Sequence, residues 1–157
     1  PPTTSAAPAP PPPVTGDTIM CANGRVRRGE HKRLAVGLSS IIGWGAFALE
    51  PVSRGDLLGE YTGDLISQEE ANRRGKAYDR DDNSYLFDLT LSTVVDARRR
   101  GNKLRFVNHE ASRPNCQPEI RLVDGEARIG LFAAKDIQVG GELMFNYGYE
   151  QANWLEN

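Results

Sequence analysis

Two stretches of this 157-residue chain place groups capable of chemistry directly behind apolar runs. Leu104-Arg105-Phe106-Val107 leads into Asn108-His109, and Glu142-Leu143-Met144-Phe145 leads into Asn146-Tyr147. In each, an amide, an imidazole or a phenol follows a strand-like segment, where a β framework can hold it rigidly at a pocket wall. Upstream, Tyr61-Thr62-Gly63 adds a second phenol. Gly43-Trp44-Gly45 adds a turn whose backbone can approach a ligand closely while Trp44 covers an adenine-sized ring. Other chemistries lack what they need. Cys21 and Cys116 are too few for a disulfide framework or for a zinc site built by this chain alone, so no metal ligand is expected. No long helix follows Gly45, and a dinucleotide site requires a strand, a Gly-rich turn and a helix. Taken singly, each residue has a plainer reading, as a core aromatic on a strand or an Asn-His turn. Their joint order carries the functional one.

The elements that must position these residues read as mainly β. Residues 34–38 and 45–49 are short strands around the turn at 42–45, and 57–66 reads as an alternating strand pair. Ser67-Gln68-Glu69-Glu70 has capping-box spacing and predicts a helix through Ala71 and Arg74 that stops at Gly75. Glu69 and Glu70 fall in its first turn, where they offset the helix dipole, and are assigned to stability. Strands are expected at 84–89 and 93–96, followed by Arg98 to Arg105 with five positive charges in eight residues, the pattern of a solvated face. Asp124-Gly125, between apolar runs at 118–123 and 127–133, signals a tight hairpin.

Length and composition bound the rest. With 39% hydrophobic residues the chain suits one domain with a real core. Its 19 basic and 21 acidic residues exclude a global polycation, so attraction for a basic or nucleic-acid partner must be local. Residues 1–20 read as a disordered Pro-rich linker, since seven of the ten prolines lie between Pro1 and Thr18. Residues 21–33 are basic and apolar-poor, again the pattern of a solvated face. With no apolar run near the roughly 18 residues of a membrane span and no signal-peptide pattern, a soluble protein of a reducing, intracellular compartment is expected.

The order GxG (Gly43, Gly45), YxG (Tyr61, Gly63), RFxNH (Arg105 to His109) and ELxFxY (Glu142 to Tyr147) closely resembles the SET-domain protein lysine methyltransferases. Within that family, residues 73–79, 94–97, 101–109 and 149–152 are most similar to the Enhancer-of-zeste branch, the catalytic subunits of the Polycomb repressive complex. Residues 84–89 are similar instead to the branch acting on histone H3 lysine 9. The resemblance implies a SET fold of several small sheets with one or two short helices and a C-terminal pseudoknot. It divides the chain into the linker (1–20), the basic tail of a preceding Cys-rich module (21–33), the SET domain (34–150) and a tail (151–157). It further implies S-adenosylmethionine as cofactor, a histone H3 tail or nucleosome as partner, Polycomb subunits as further partners, and a nuclear location with transcriptional silencing through lysine 27. DNA contact through Arg98, Arg99 and Arg100 is a further expectation.

The chemistry so implied is demanding. A free lysine with pKa about 10.4 is short of its neutral form by about three and a half log units at pH 7, a penalty of roughly 4.5 kcal/mol. A narrow, dry, aromatic channel that disfavours the ammonium, with hydroxyls to orient the amine, answers that need without a metal. By resemblance, Tyr147 and Tyr61 are the pocket tyrosines, Tyr147 being the essential one. Phe145 lies where the family alternates Phe with Tyr, and Phe leaves room for more than one methyl group. Gly43, Trp44, Gly45, Tyr85, Asn108 and His109 are the implied cofactor residues, Asn108 through its side chain at the methionine end. Glu110 and Asn146 depart from the family's usual Ser and Asp and are expected to weaken the pseudoknot. Trp154 and Leu155 are the apolar material left to close the channel after Tyr147, so an isolated domain is expected to be a poor catalyst. Two other classes remain: a SET-fold chromatin-binding module without turnover, and a nucleic-acid-binding domain using Arg98 to Arg105.

Overall fold

A computed structural model describes residues 23–78 and 85–148. The Pro-rich segment, Cys21, Ser84 and the tail with Trp154 and Leu155 lie outside the described residues. Strands β1 (Leu34–Leu38) and β2 (Trp44–Ala48) pair antiparallel, with Gly37 opposite Gly45. Their turn is closed by Ser39, whose N–H donates to the Gly43 carbonyl (2.9 Å) and whose Oγ accepts from Ile41 N (2.9 Å).

Strands β3 (Leu57–Glu60) and β4 (Asp64–Ser67) form as expected but do not pair with each other. β3 is the edge of a three-stranded sheet that it forms with Glu126–Ala133 (β9) and Cys116–Val123 (β8), in the order β3-β9-β8, and β4 belongs to a sheet with Thr93–Asp96 (β6) and Leu86–Asp88 (β5), in the order β4-β6-β5. The burial of β3 gives the reason. Leu57, Leu58 and Gly59 are all buried, the mark of a strand covered on both faces rather than half of an amphipathic hairpin. In the other sheet, β5 (Leu86–Asp88) and β6 (Thr93–Asp96) pair antiparallel. The hairpin of β8 (Cys116–Val123) and β9 (Glu126–Ala133) turns at Asp124-Gly125, where both residues take positive φ, 52° and 83°.

The helix Gln68–Tyr78 starts where the capping box predicts, with Glu70 N donating to Ser67 Oγ (3.2 Å), but runs past Gly75. Glycine inside a helix costs about 1 kcal/mol relative to alanine. The tertiary anchor beyond it outweighs that cost. Tyr78 OH and Arg74 Nη1 both donate to the carboxylate of Asp96 at 2.8 Å, and Arg74 Nε also reaches Glu70 at 2.6 Å. Asp96, only 1% exposed, caps the next helix, Ala97–Arg100, by accepting from Arg98 N (3.0 Å). Residues 98–105 are therefore structured, not simply a solvated face: the short helix is followed by a 3-10 helix, Lys103–Phe106, capped by Asn102. This corrects the strand expected at 104–107; the strand that forms is the two-residue β7 (Asn108–His109), directly after it.

Residues 23–27 are helical, and Val26, 1% exposed, packs with Leu57, Val123 and Phe132. The arginines around it are paired, Arg25 and Arg28 with Glu30 and Arg27 with Asp124. This stretch is thus docked on the sheet that contains β3 rather than free in solvent. The main core gathers Leu58, Tyr61, Val107, Ile129, Leu143 and Phe145 from all parts of the chain, which seats two of the candidate site aromatics within it.

Candidate active site

The site begins with a strand held from both sides. β10 (Met144–Phe145) runs parallel to β7, with Met144 opposite Asn108 and Phe145 opposite His109. A two-residue ladder cannot hold itself. Asn115 supplies the rest: its N–H donates to Met144 O (3.0 Å), its Oδ1 accepts from Met144 N (2.8 Å), and its Nδ2 donates to Glu142 O (2.7 Å). Residues 108 and 115, the two ends of one loop, thus bond the same C-terminal strand, which is the hydrogen bonding of the pseudoknot the resemblance implies. Glu110 and Asn146, expected to weaken it, make bonds here. Glu110 N donates to Phe145 O (3.1 Å), while its carboxylate accepts from Ser112 and Arg113, bonds that hold its pKa below the ordinary glutamate value. Asn146 Oδ1 accepts from Gly148 N (2.9 Å).

Asn108 ties the glycine turn to this assembly. Its Nδ2 lies 3.2 Å from Trp44 O, 3.4 Å from Ile42 O and 2.8 Å from Glu142 Oε1. The donor side of the amide is therefore spent on the protein, and Oδ1 is what it can offer a ligand. Gly43 takes φ +51°, with open space where a Cβ would stand, and Trp44 is 56% exposed, so the turn presents bare backbone and a free indole face. His109 Nδ1 accepts from Tyr147 N (3.0 Å), which places the ring proton of a neutral imidazole on Nε2.

Four aromatic rings form a tilted series. Ring centroids are 5.4 Å apart for Tyr61 and Phe87, 6.1 Å for Phe87 and Phe145, and 4.8 Å for Phe145 and Tyr147. Tyr147 as a residue is 56% exposed, yet its hydroxyl is turned inward to donate to Val107 O (2.6 Å). Desolvation of that group, with a smaller contribution from Tyr85, pushes its pKa up to about 12. Tyr61 OH donates to Tyr85 O (3.3 Å), and burial above all holds its pKa well above the ordinary tyrosine value. Neither phenol is a general base near neutrality. Each has committed its proton to a carbonyl and keeps lone pairs free, so each can accept an N–H and orient an amine.

The structure thus brings together Tyr61, Tyr85, Phe145 and Tyr147 on one side, and Gly43, Trp44, Gly45 and Asn108 on the other, with His109 joining the two. Residues 104–107, between these groups, are fixed by Arg105, whose Nη1 donates to Arg98 O (2.7 Å) and whose guanidinium lies 5.6 Å from the Tyr85 ring centroid. Phe87, Val107, Asn115 and Glu142 were missed as site residues. Phe87 follows Tyr85 by two within the strand expected at 84–89, a spacing that puts both on one face; the Val107 carbonyl carries no sequence signal. A separate cleft of about 500 Å³, lined in part by His31, Lys32, Glu60, Asn102 and Lys103, contains none of the candidate residues.

A set of small sheets around a two-sided strand, with this aromatic series beside a Gly-Trp-Gly turn, defines a class, and residues 43–148 match the model of the SET domain: the chain belongs to the SET-domain family. Among curated proteins it is 46% identical over 138 residues to Histone-lysine N-methyltransferase EZ3 of Zea mays, covering 88% of this chain and 15% of that protein. It is 47% identical over 134 residues to EZ1 of Oryza sativa subsp. japonica, covering 85% and 15%. Among solved structures it resembles ctPRC2 bound to S-adenosylmethionine in an autoinhibited conformation, with TM-score 0.73 and 41% identity over 78% of this chain and 16% of that one. An active polycomb repressive complex 2 in the basal state gives TM-score 0.74 and 40% identity over 85% and 18%. The chain spans about a sixth of the length of these relatives.

Proposed function

We propose that this chain is the catalytic domain of a histone lysine methyltransferase of the Enhancer-of-zeste type, which transfers a methyl group from S-adenosylmethionine to lysine 27 of histone H3. The observation that carries the reading is the aromatic series from Tyr61 to Tyr147, ending in two phenols whose protons are committed to carbonyls. The Gly43–Gly45 turn, Trp44, the Asn108 Oδ1 and the region of His109 fit the cofactor: bare backbone and an indole face suit an adenine, and an amide acceptor suits an ammonium. When bound, S-adenosylmethionine supplies an electrophilic methyl on a sulfonium.

The residues of the chain do the rest. The apolar rings of Phe87 and Phe145 exclude water and disfavour the charged lysine. Tyr147 and Tyr61 accept N–H bonds from the neutral amine and point its lone pair along the transfer axis. The amine forms a C–N bond as the methyl leaves sulfur, and the surplus proton passes to solvent. By the same likeness, the partners are the histone H3 tail on a nucleosome and Polycomb complex subunits, the location nuclear, and the outcome transcriptional silencing. The helix Ala97–Arg100 offers DNA a basic corner in which Arg99 and Arg100 are exposed. Residues 34–150 are proposed as the SET unit.

The test is methyl transfer to recombinant nucleosomes by the full-length protein, read by mass spectrometry. Label on H3 that vanishes when lysine 27 is replaced by arginine is the expected result. Label that persists on lysine 9 would transfer the assignment to that lysine, and cofactor binding without any product would leave a chromatin-binding module.

A further inference from the structure

We propose that Glu142 is a positioning residue for the cofactor, its carboxylate setting the Asn108 carboxamide so that only Oδ1 faces the ligand, as an acceptor for an α-ammonium group. The inference deepens the methyltransferase reading and rests on it.

Two observations converge on this carboxylate. The first is the surroundings of Asn108 Nδ2: Glu142 Oε1 at 2.8 Å, Trp44 O at 3.2 Å and Ile42 O at 3.4 Å. All three can only accept. Rotating the amide by half a turn would set Oδ1 against a carboxylate and two carbonyls, so its orientation is dictated by chemistry. Two peptide carbonyls alone would favour the same orientation weakly, whereas the charged acceptor makes the stronger, shorter bond. The second observation is at Gly45, where a Cβ would overlap Glu142 Oε1. The second glycine of the Gly-Trp-Gly turn is thus the space that this carboxylate occupies, apart from any ligand contact.

The backbone of Glu142 is fixed on both sides. It bridges to Phe47 on β2, and its carbonyl accepts from Asn115 Nδ2 (2.7 Å). Among the described residues its carboxylate has no ion-pair partner, so its negative charge stands uncompensated beside Asn108. That favours a cationic ligand group at the remaining amide oxygen, Oδ1.

The experiment is competition calorimetry on the full-length protein with two ligands that share an adenosine thioether. S-adenosylhomocysteine carries the α-ammonium, and 5′-methylthioadenosine has no amino-acid end. Glu142→Ala is expected to weaken the first by on the order of tenfold or more, about 1.4 kcal/mol, and to leave the second within about twofold. Glu142→Gln, which keeps an acceptor oxygen, is expected to retain most of the affinity. Equal losses for both ligands would make Glu142 a merely structural residue and overturn the proposal, as would no loss for either.

Should Glu142→Ala fail to fold, a rescue decides. Asn108→Asp sets two carboxylates together and should lose S-adenosylhomocysteine binding, and adding Glu142→Gln should restore part of it by supplying an N–H. Absence of rescue counts against the proposal. A wild-type protein that binds neither ligand would remove the methyltransferase reading itself, a failure distinguishable from the others.

Discussion

The β8–β9 hairpin and the assembly of β7 with β10 are both strand pairs, and they are built in opposite ways. The hairpin pairs eight residues with eight in unbroken register, from Cys116 opposite Ala133 to Val123 opposite Glu126, around a turn of its own. β7 and β10 pair two residues with two, 36 positions apart in sequence, and are held by further bonds from Asn108, Glu110 and Asn115 to residues 142–145. A local ladder pays its loop-closure entropy once, over two residues, whereas the knot closes a long loop for very few bonds. The chemistry proposed for this chain lies on the second. A site of short strands clamped by side-chain amides can gather groups from five parts of the chain, which a long hairpin cannot.

The sharpest way to break the comparison is to remove one atom from the knot side. Tyr147→Phe deletes the hydroxyl that donates to Val107 O and is proposed to accept from the amine, while the ring keeps its packing on Phe145 and His109. Turnover is expected to fall below about a tenth of wild type, a change of at least about 1.4 kcal/mol in the barrier, with the domain still folded. Single-turnover kinetics that retain more than that would take Tyr147 out of its role.

Next in size is Asp96, which bonds Arg74, Tyr78 and the Arg98 N–H from a buried position. Asp96→Ala leaves a guanidinium and a phenol without their acceptor and is expected to cost about 3 kcal/mol. The pH dependence follows from the sign of the shift. Burial acts to raise the Asp96 pKa, but the hydrogen bonds from Arg74, Arg98 and Tyr78 outweigh it and the value lies below the ordinary one. A depressed native pKa contributes stability that is present above the unfolded value, about 3.9, and is lost as pH falls through the native value. Urea melts should therefore show wild type losing stability below about pH 4 and Asp96→Ala losing less; parallel acid limbs would contradict this.

These two sites also show what was legible. The hairpin, β1, β6 and the start of the helix Gln68–Tyr78 were readable because their signals are local: Asp-Gly at a turn, alternation, a Ser-x-x-Glu box. The strand at 104–107 was misread because apolar content does not distinguish a 3-10 helix from a strand, and the cap that decides it is Asn102. The helix end was misread because Gly75 is a stop only when nothing holds the next turn, and Tyr78 is held by Asp96 from 18 residues away. Tyr61, Phe145 and Tyr147 stand out in the sequence through their ordered motifs, whereas Phe87 lies in none of them and was missed. Glu142, Asn115 and the Val107 carbonyl act through distant partners, which no window of sequence contains.

Asn115→Ala and Gly125→Ala set the two strand pairs against each other directly. The first removes two side-chain bonds, one to Met144 on β10 and one to Glu142 just before it, and is expected to cost about 2 kcal/mol together with most of the activity. The second places a Cβ at φ +83°, for about 1 kcal/mol, and should leave turnover per folded molecule unchanged. Thermal melts alongside single-turnover assays separate them. If Gly125→Ala lowered the rate as much as Asn115→Ala, the division between framework and site would be wrong.

The smallest energetic change is predicted to alter the product rather than the rate. Phe145 is buried, with ring centroids 6.1 Å from Phe87 and 4.8 Å from Tyr147, so it stands within the aromatic series proposed to enclose the amine. As Phe it leaves that enclosed space free, and the wild type is expected to yield di- and trimethyl-lysine. Phe145→Tyr adds one hydroxyl, which holds a water in a buried setting because an unpaired O–H there costs about 1–3 kcal/mol. Hydroxyl and water together fill the space a methylated amine needs, while the first transfer, whose amine is smaller, goes on. Mass spectra of the H3 product should shift toward monomethyl-lysine with little change in the first rate. Wild-type product consisting of monomethyl-lysine alone would show that the space beside Phe145 is closed by other means, and that the series of rings ends at a narrower channel than its spacing implies.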